Sequence, residues 1–116
     1  MVVSEFNYDI PTNENRVVNP YNDSRRWTGT AHFGAGILAL TSLGRAYGYT
    51  LVYGEKRGVN IFFIQTSILK KFGILHLVPS IEKLHVKTPE PHWKHPEEKD
   101  KTRGWIWNDT LWIETV

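Results

Sequence analysis

The sequence predicts an α/β fold in which one helix packs against a small sheet. Three observations carry this. The stretch from Gly48 to Gln65, GYTLVYGEKRGVNIFFIQ, holds two strand-like runs around a charged turn bracketed by glycine. The residues before it, Ala31 to Tyr47, repeat apolar side chains at helical spacing. The chain opens on a third run, Val2-Val3-Ser4-Glu5-Phe6, rich in β-branched residues. β-branched and aromatic runs favour strands, and apolar residues three and four apart favour a helix facing a core.

In chain order, Val2 to Phe6 is expected as the first strand. Asn7 to Arg26 follows, rich in Asn and carrying Pro11 and Pro20, and reads as a long irregular connection. A loop of that length inside a compact domain is usually functional. Thr28-Gly29-Thr30 offers a helix N-cap. The helix, Ala31 to Tyr47, places Phe33, Ile37, Leu40 and then Leu43 or Gly44 along one stripe. Gly34, Gly36 and Gly44 each weaken intrinsic helicity by about 1 kcal/mol relative to Ala. Packing must therefore sustain this helix, and its small residues let it lie close against a sheet. Gly48 is a left-handed cap at its end.

The hairpin comes next, Tyr49–Tyr53 and Asn60–Gln65, with Gly54 and Gly58 around Glu55-Lys56-Arg57. Ile61-Phe62-Phe63-Ile64 is apolar on both faces, which is the pattern of a strand in the middle of a covered sheet. Ser67 is a cap for a short helix, Ile68 to Phe72, stopped by Gly73. A second apolar patch, Ile74 to Val78, ends at Pro79. Residues 1–78 are thus expected as the folded part, and residues 79–116 as a Pro- and charge-rich linker with a Trp-rich tail. Pro89, Pro91 and Pro96 mark the linker. In the tail, Trp105 and Trp107 alternate as they would on one side of a strand.

Bulk properties bound the function. A chain of 116 residues makes one ordinary domain or a piece of one. A net charge of +2, with no basic cluster beyond pairs such as Lys70-Lys71, does not suggest a nucleic-acid partner. There is no cysteine, hence no disulfide framework and no thiolate metal site. No apolar run approaches the roughly 20 residues that span a bilayer, and the start lacks the pattern of a signal peptide. No membrane association is expected, and the expected compartment is cytoplasmic.

Several blocks in order are more specific than the element pattern. These are Val2-Val3-Ser4-Glu5-Phe6-Asn7, then Tyr21 and Trp27-Thr28-Gly29-Thr30, then Phe33 to Gly44, Gly48 to Val52 and Gly58-Val59-Asn60-Ile61-Phe62-Phe63-Ile64. Together they resemble the carboxyl-terminal part of the FkbM-like, class I, S-adenosylmethionine-dependent methyltransferases, over about Met1 to Leu69. The resemblance implies a partial Rossmann-like methyltransferase sheet, its last three strands with the terminal β-hairpin antiparallel, and one main helix packed on it. In that family the last strand runs antiparallel between the fifth and the sixth. By this resemblance Val2–Phe6 is the fifth strand, Tyr49–Tyr53 the sixth and Asn60–Gln65 the inserted seventh.

S-adenosylmethionine is the cofactor implied for a complete family member. Its binding relies on a Gly-rich turn after the first strand and an acidic residue ending the second. No position here matches either, so no cofactor-binding residue is assigned and no cofactor is expected in this chain. Glu5 and Asn7, which end the implied fifth strand, are candidates for the acceptor side, where open α/β sheets place ligands. The competing reading is that they cap a strand and pin the long loop. His92-Trp93-Lys94-His95 has two ligand types three apart, but Pro91 and Pro96 exclude a regular helix there. No metal site is expected, and no residue is assigned a catalytic role.

Two functional readings follow. One is a carboxyl-terminal fragment or degenerate relative of such a methyltransferase, inactive alone because the cofactor-binding half is absent. The alternative is a small non-enzymatic binding or assembly module that reuses the half-sheet and the Trp-rich tail. In either case an open sheet edge is expected to invite self-association or a partner chain, unless Gly104 to Ile113 covers the open side.

Overall fold

Among the described residues nine short elements carry the backbone, and a three-stranded sheet organises them. The computed structural model describes residues 1–18, 33–88 and 105–107. The elements are β1 (Val2–Glu5), β2 (Arg16–Val18), α1 (Ile37–Ala46), β3 (Tyr49–Gly54) and β4 (Asn60–Gln65), then α2 (Thr66–Lys71), a 3-10 turn (Leu75–Leu77), α3 (Ile81–Leu84) and β5 (Trp105–Trp107). The main sheet has the order β1-β4-β3, and β2 pairs with β5 in a second, two-stranded sheet. Every pairing is antiparallel. Since β1 and β3 both oppose β4, they run parallel to each other.

The apolar strand takes the central place that its composition asks for. Val2, Val3, Ser4 and Glu5 of β1 face Phe63, Phe62, Ile61 and Asn60 of β4. On the other side Tyr49, Thr50 and Leu51 face Gln65, Ile64 and Phe63, and a bulge at Val52 shifts the register to Tyr53 with Phe62. Side chains alternate between sheet faces, so Ile61 and Phe63 point one way, Phe62 and Ile64 the other. Ile61 and Phe63 are buried with Phe6, Ile37, Leu51 and Leu84 in the core. Each such side chain contributes roughly 1.5–3 kcal/mol by leaving water. Phe62 and Ile64 are only half-buried.

Helix α1 supplies the cover on the buried face. Its glycine at 44 has a packing purpose, since a Cβ there would stand 2.9 Å from the Phe63 ring. Thr41, buried, donates its hydroxyl to the Ile37 carbonyl at 2.7 Å and leaves no orphan polar group. The helix is shorter than the apolar stripe predicts. It begins at Ile37, not at Ala31, because Gly34 adopts φ +61° and Ala35 bridges Val17. Gly36, still extended, donates its N–H to the Arg16 carbonyl. The backbone at 34–36 is thus spent on pairing with β2 before the helix starts. The Thr28-Gly29-Thr30 cap and Tyr21 lie outside the described residues.

Further expectations need correcting. The connection after Asn7 is not wholly irregular, since β2 lies within it. Its three residues find a ladder only through long-range partners, Ala35 on one side and β5 on the other. Ser67 does not cap α2, whose N-cap is Gln65. The folded body also extends past residue 78. Leu84, 7% exposed, belongs to the core, and His85 donates its Nε2–H to the Tyr8 carbonyl at 2.7 Å. The His85 ring stacks on Tyr8 at 4.1 Å with an 8° tilt. Trp105–Trp107 of the tail pair with β2, and the rest of Gly104 to Ile113 lies outside the described residues.

Gly54 shows what holds α3 in place. Its φ is not positive, unlike that of Gly58. It is glycine because the Leu84 carbonyl oxygen occupies the space of a Cβ. Gly54→Ala is therefore expected to push α3 away and to cost roughly 1–3 kcal/mol, in the range of overpacked cores. Urea denaturation read by circular dichroism measures it, and an unchanged midpoint would show that α3 is not seated as described.

Candidate functional site

Strand β1 ends where the sequence places its two candidates, and the structure treats them differently. Asn7 is fully buried, 0% exposed. Its side-chain amide donates to the Phe33 carbonyl at 3.0 Å, and its Oδ1 accepts the Asp9 N–H at 3.0 Å. Its backbone N–H goes to the Ala35 carbonyl, and its own carbonyl accepts from Ile10. Asn thus closes the turn after β1 and fastens the chain at 33–35 beside it. The residue type suits this work because an amide both donates and accepts. Both of these side-chain bonds go to backbone groups. They are the kind that the pinning reading of Asn7 calls for. Glu5, one strand position before Phe6, is exposed.

Around the same end lies a cluster that the sequence reading passes over. Tyr8 stacks on His85, Phe6 meets both rings edge-on, and the Lys87 ammonium stands 5.6 Å from the Tyr8 centroid. These groups join the turn after β1 to the segment after α3. Tyr8 stands out in sequence only as an aromatic within an Asn-rich loop. His85 falls in the stretch read as linker.

The second sheet gathers another cation with aromatics. The Arg16 guanidinium lies 4.3 Å from the Trp105 centroid and 5.1 Å from that of Trp107, and its Nε is 2.9 Å from Glu14 Oε1. The alternation of Trp105 and Trp107 therefore serves a cation of the same chain. Next to Arg16, Asn15 is buried, 4% exposed, and neither atom of its amide has a hydrogen-bond partner.

Two concavities flank α1. One, of about 250 Å³, lies between α1, β3 and α3 over Leu51 and Leu84, with Arg45, Ser80 and Glu82 as its exposed polar lining. The other, of about 260 Å³, lies between α1 and β1 and is lined by Val2, Ser4, Leu40, Leu43, Gly44, Tyr47, Tyr49 and Phe63. No charged side chain lines it. On the opposite face of the sheet Val3 and Tyr53 are about half exposed beside Phe62, and the Tyr53 and Phe62 rings are 5.6 Å apart.

Among the described residues, no group of three or more His, Asp or Glu could hold a metal ion. His92 and His95 lie outside them. No helix among the described residues is long and apolar enough to cross a membrane. Comparison with protein-family models, with curated proteins and with solved structures returned no match.

The bonds of Asn7 yield a measurable contrast. Asn7→Ala removes a buried donor and acceptor and leaves the Phe33 carbonyl and the Asp9 N–H short of partners, at roughly 1–3 kcal/mol for the pair. Glu5→Gln, on the surface, is expected within about 0.5 kcal/mol of the parent. Thermal unfolding of both variants checks this, and equal melting temperatures would remove Asn7 from its pinning role.

Proposed function

We propose that the chain is a non-enzymatic assembly module built on a half-sheet of the kind that ends a class I methyltransferase domain. The observation that carries it is the strand order β1-β4-β3, with an apolar central strand and one edge, β1, left without a partner among the described residues. An antiparallel strand inserted between two mutually parallel ones is the arrangement that the FkbM-like resemblance implies. It supports kinship with that sheet. The polar groups at the end of β1 support the non-enzymatic part, since Asn7 is committed to backbone groups and Glu5 has no acid–base or nucleophilic companion within the described contacts.

A second reading keeps the methyltransferase itself, with this chain as the carboxyl-terminal part of an enzyme that needs the cofactor-binding half to act. The same strand order favours it. Both readings expect no cofactor affinity of the chain as given, because the Gly-rich turn and acidic residue that grip S-adenosylmethionine have no counterpart in the sequence. The enzyme reading alone expects binding once a cofactor-binding half is joined to it.

Isothermal titration of the 116-residue chain with S-adenosylmethionine is the test. No heat of binding is expected up to about 1 mM ligand, an affinity weaker than about 4 kcal/mol. A dissociation constant in the micromolar range would overturn the module reading, and with it the premise that the cofactor-binding half lies outside this chain.

A further inference from the structure

We infer that the open edge of β1 pairs with β1 of a second copy, joining two half-sheets into one six-stranded sheet. The inference rests on the assembly reading above and names its partner.

The backbone shows which groups are free. Phe6 donates its N–H to Val59, inward to the β4 side. Antiparallel pairs alternate, so Val2 and Ser4 also turn their backbone groups inward, while Val3 and Glu5 turn theirs outward. Asn7 obeys the same alternation, and its outward N–H is taken by Ala35. Among the described residues the free edge therefore runs from Val2 to Phe6, and Ser4 is its midpoint. A two-fold axis at Ser4 sets Val3 of each copy against Glu5 of the other. Each such pair exchanges two backbone hydrogen bonds, and neither carboxylate faces the other.

The two edges of the sheet are managed differently, which points to β1 as the one meant to be joined. On β3 the bulge at Val52 breaks the ladder, α3 leans on Gly54, and Thr88 donates to the Lys56 carbonyl at the hairpin turn. β1 is short and ends on Glu5, but it has no bulge, proline or lysine, three of the devices that blunt an edge. Val3 is 52% exposed there.

The apolar groove continues this surface. Val2, Leu43 and Tyr47 are exposed along it, Tyr47 by 76%. With the axis normal to the sheet, both α1 helices stand on one face and the two grooves merge over the paired strands. Such an interface buries on the order of 1,000 Å², the lower end for a specific one. A dissociation constant on the order of 10 μM is expected.

Because the chain has no cysteine, Ser4→Cys gives a clean test. A two-fold at Ser4 makes that residue its own non-hydrogen-bonded neighbour, at about 4.5 Å between Cα atoms, within disulfide reach. Under mild oxidation S4C is expected to cross-link at least ten times faster than a control, Lys56→Cys, placed on the exposed hairpin turn. Val3→Pro removes an outward donor and no bond to β4. It is expected to weaken self-association in sedimentation by tenfold or more, with the melting temperature of the dilute chain within a few degrees of the parent. A chain that stays monomeric at 200 μM would overturn the inference. So would S4C cross-linking no faster than K56C, or association that V3P leaves within threefold. Because cofactor binding would overturn the assembly reading on which this rests without changing the self-association measured here, the two can fail separately.

Discussion

One helix cannot cover three strands, and most of what is unusual about this molecule follows from that. A helix is about 10 Å across, and three strands at about 4.8 Å spacing are wider than that with their side chains. Helix α1 settles over β3 and β4, where Gly44 lets it approach Phe63. The strip above β1 is then left bare as an apolar groove. The opposite face has no such helix among the described elements, so Phe62 and Ile64 stay half-buried beside Val3 and Tyr53. The apolar surface of β4 exceeds what the described elements cover. Exposed apolar area concentrated beside an unpaired edge is the usual physical mark of an interaction surface.

Much of the main sheet was legible in the sequence, because its signals are local. Asn60–Gln65 reads as central from composition alone, and its bounds agree with β4. The hairpin with β3 follows from glycine placement around a charged turn, and Gly73 ends α2 with φ +68°. What failed was decided by partners distant in sequence. Nothing within residues 14–18 announces a strand, and only pairing with Ala35 and with Trp105–Trp107 makes one. The same pairing takes the backbone at 34–36 out of the helix, although the apolar period there continues. Leu84 sits in a stretch whose composition reads as linker, yet its carbonyl fits a gap that Gly54 leaves open. Helical period and glycine count cannot register a contact of that kind.

The site was less legible than the fold, for a related reason. Position at the end of a strand made Glu5 and Asn7 candidates, but position does not tell whether an amide faces a ligand or its own backbone. For Asn7 the answer lies in the Phe33 carbonyl and the Asp9 N–H. The adjacent pairing of Tyr8 with His85 joins residues far apart in sequence, and no motif spacing connects them. The Trp-rich tail carried a real signal in its alternation. What it holds, the Arg16 guanidinium, could be found only by knowing which strand lies beside it.

The second sheet links these observations through the start of α1. Gly36 is held extended where its N–H bonds the Arg16 carbonyl, so β2 sets where α1 begins. Arg16 is in turn held by Glu14 and by the faces of Trp105 and Trp107. A cation over aromatic rings contributes about 0.5–1 kcal/mol at partly exposed sites and more when desolvated. That is modest, but it acts on a strand of three residues with little other support. Trp105 and Trp107 thus bear on the first turn of the helix that covers the core, although they touch neither β3 nor β4 in the sheet order. The same stretch, 34–36, abuts Asn7 at the end of β1 and so limits the free edge to the residues before it. Through that one extended segment, the aromatic strand and the open edge are parts of a single backbone arrangement.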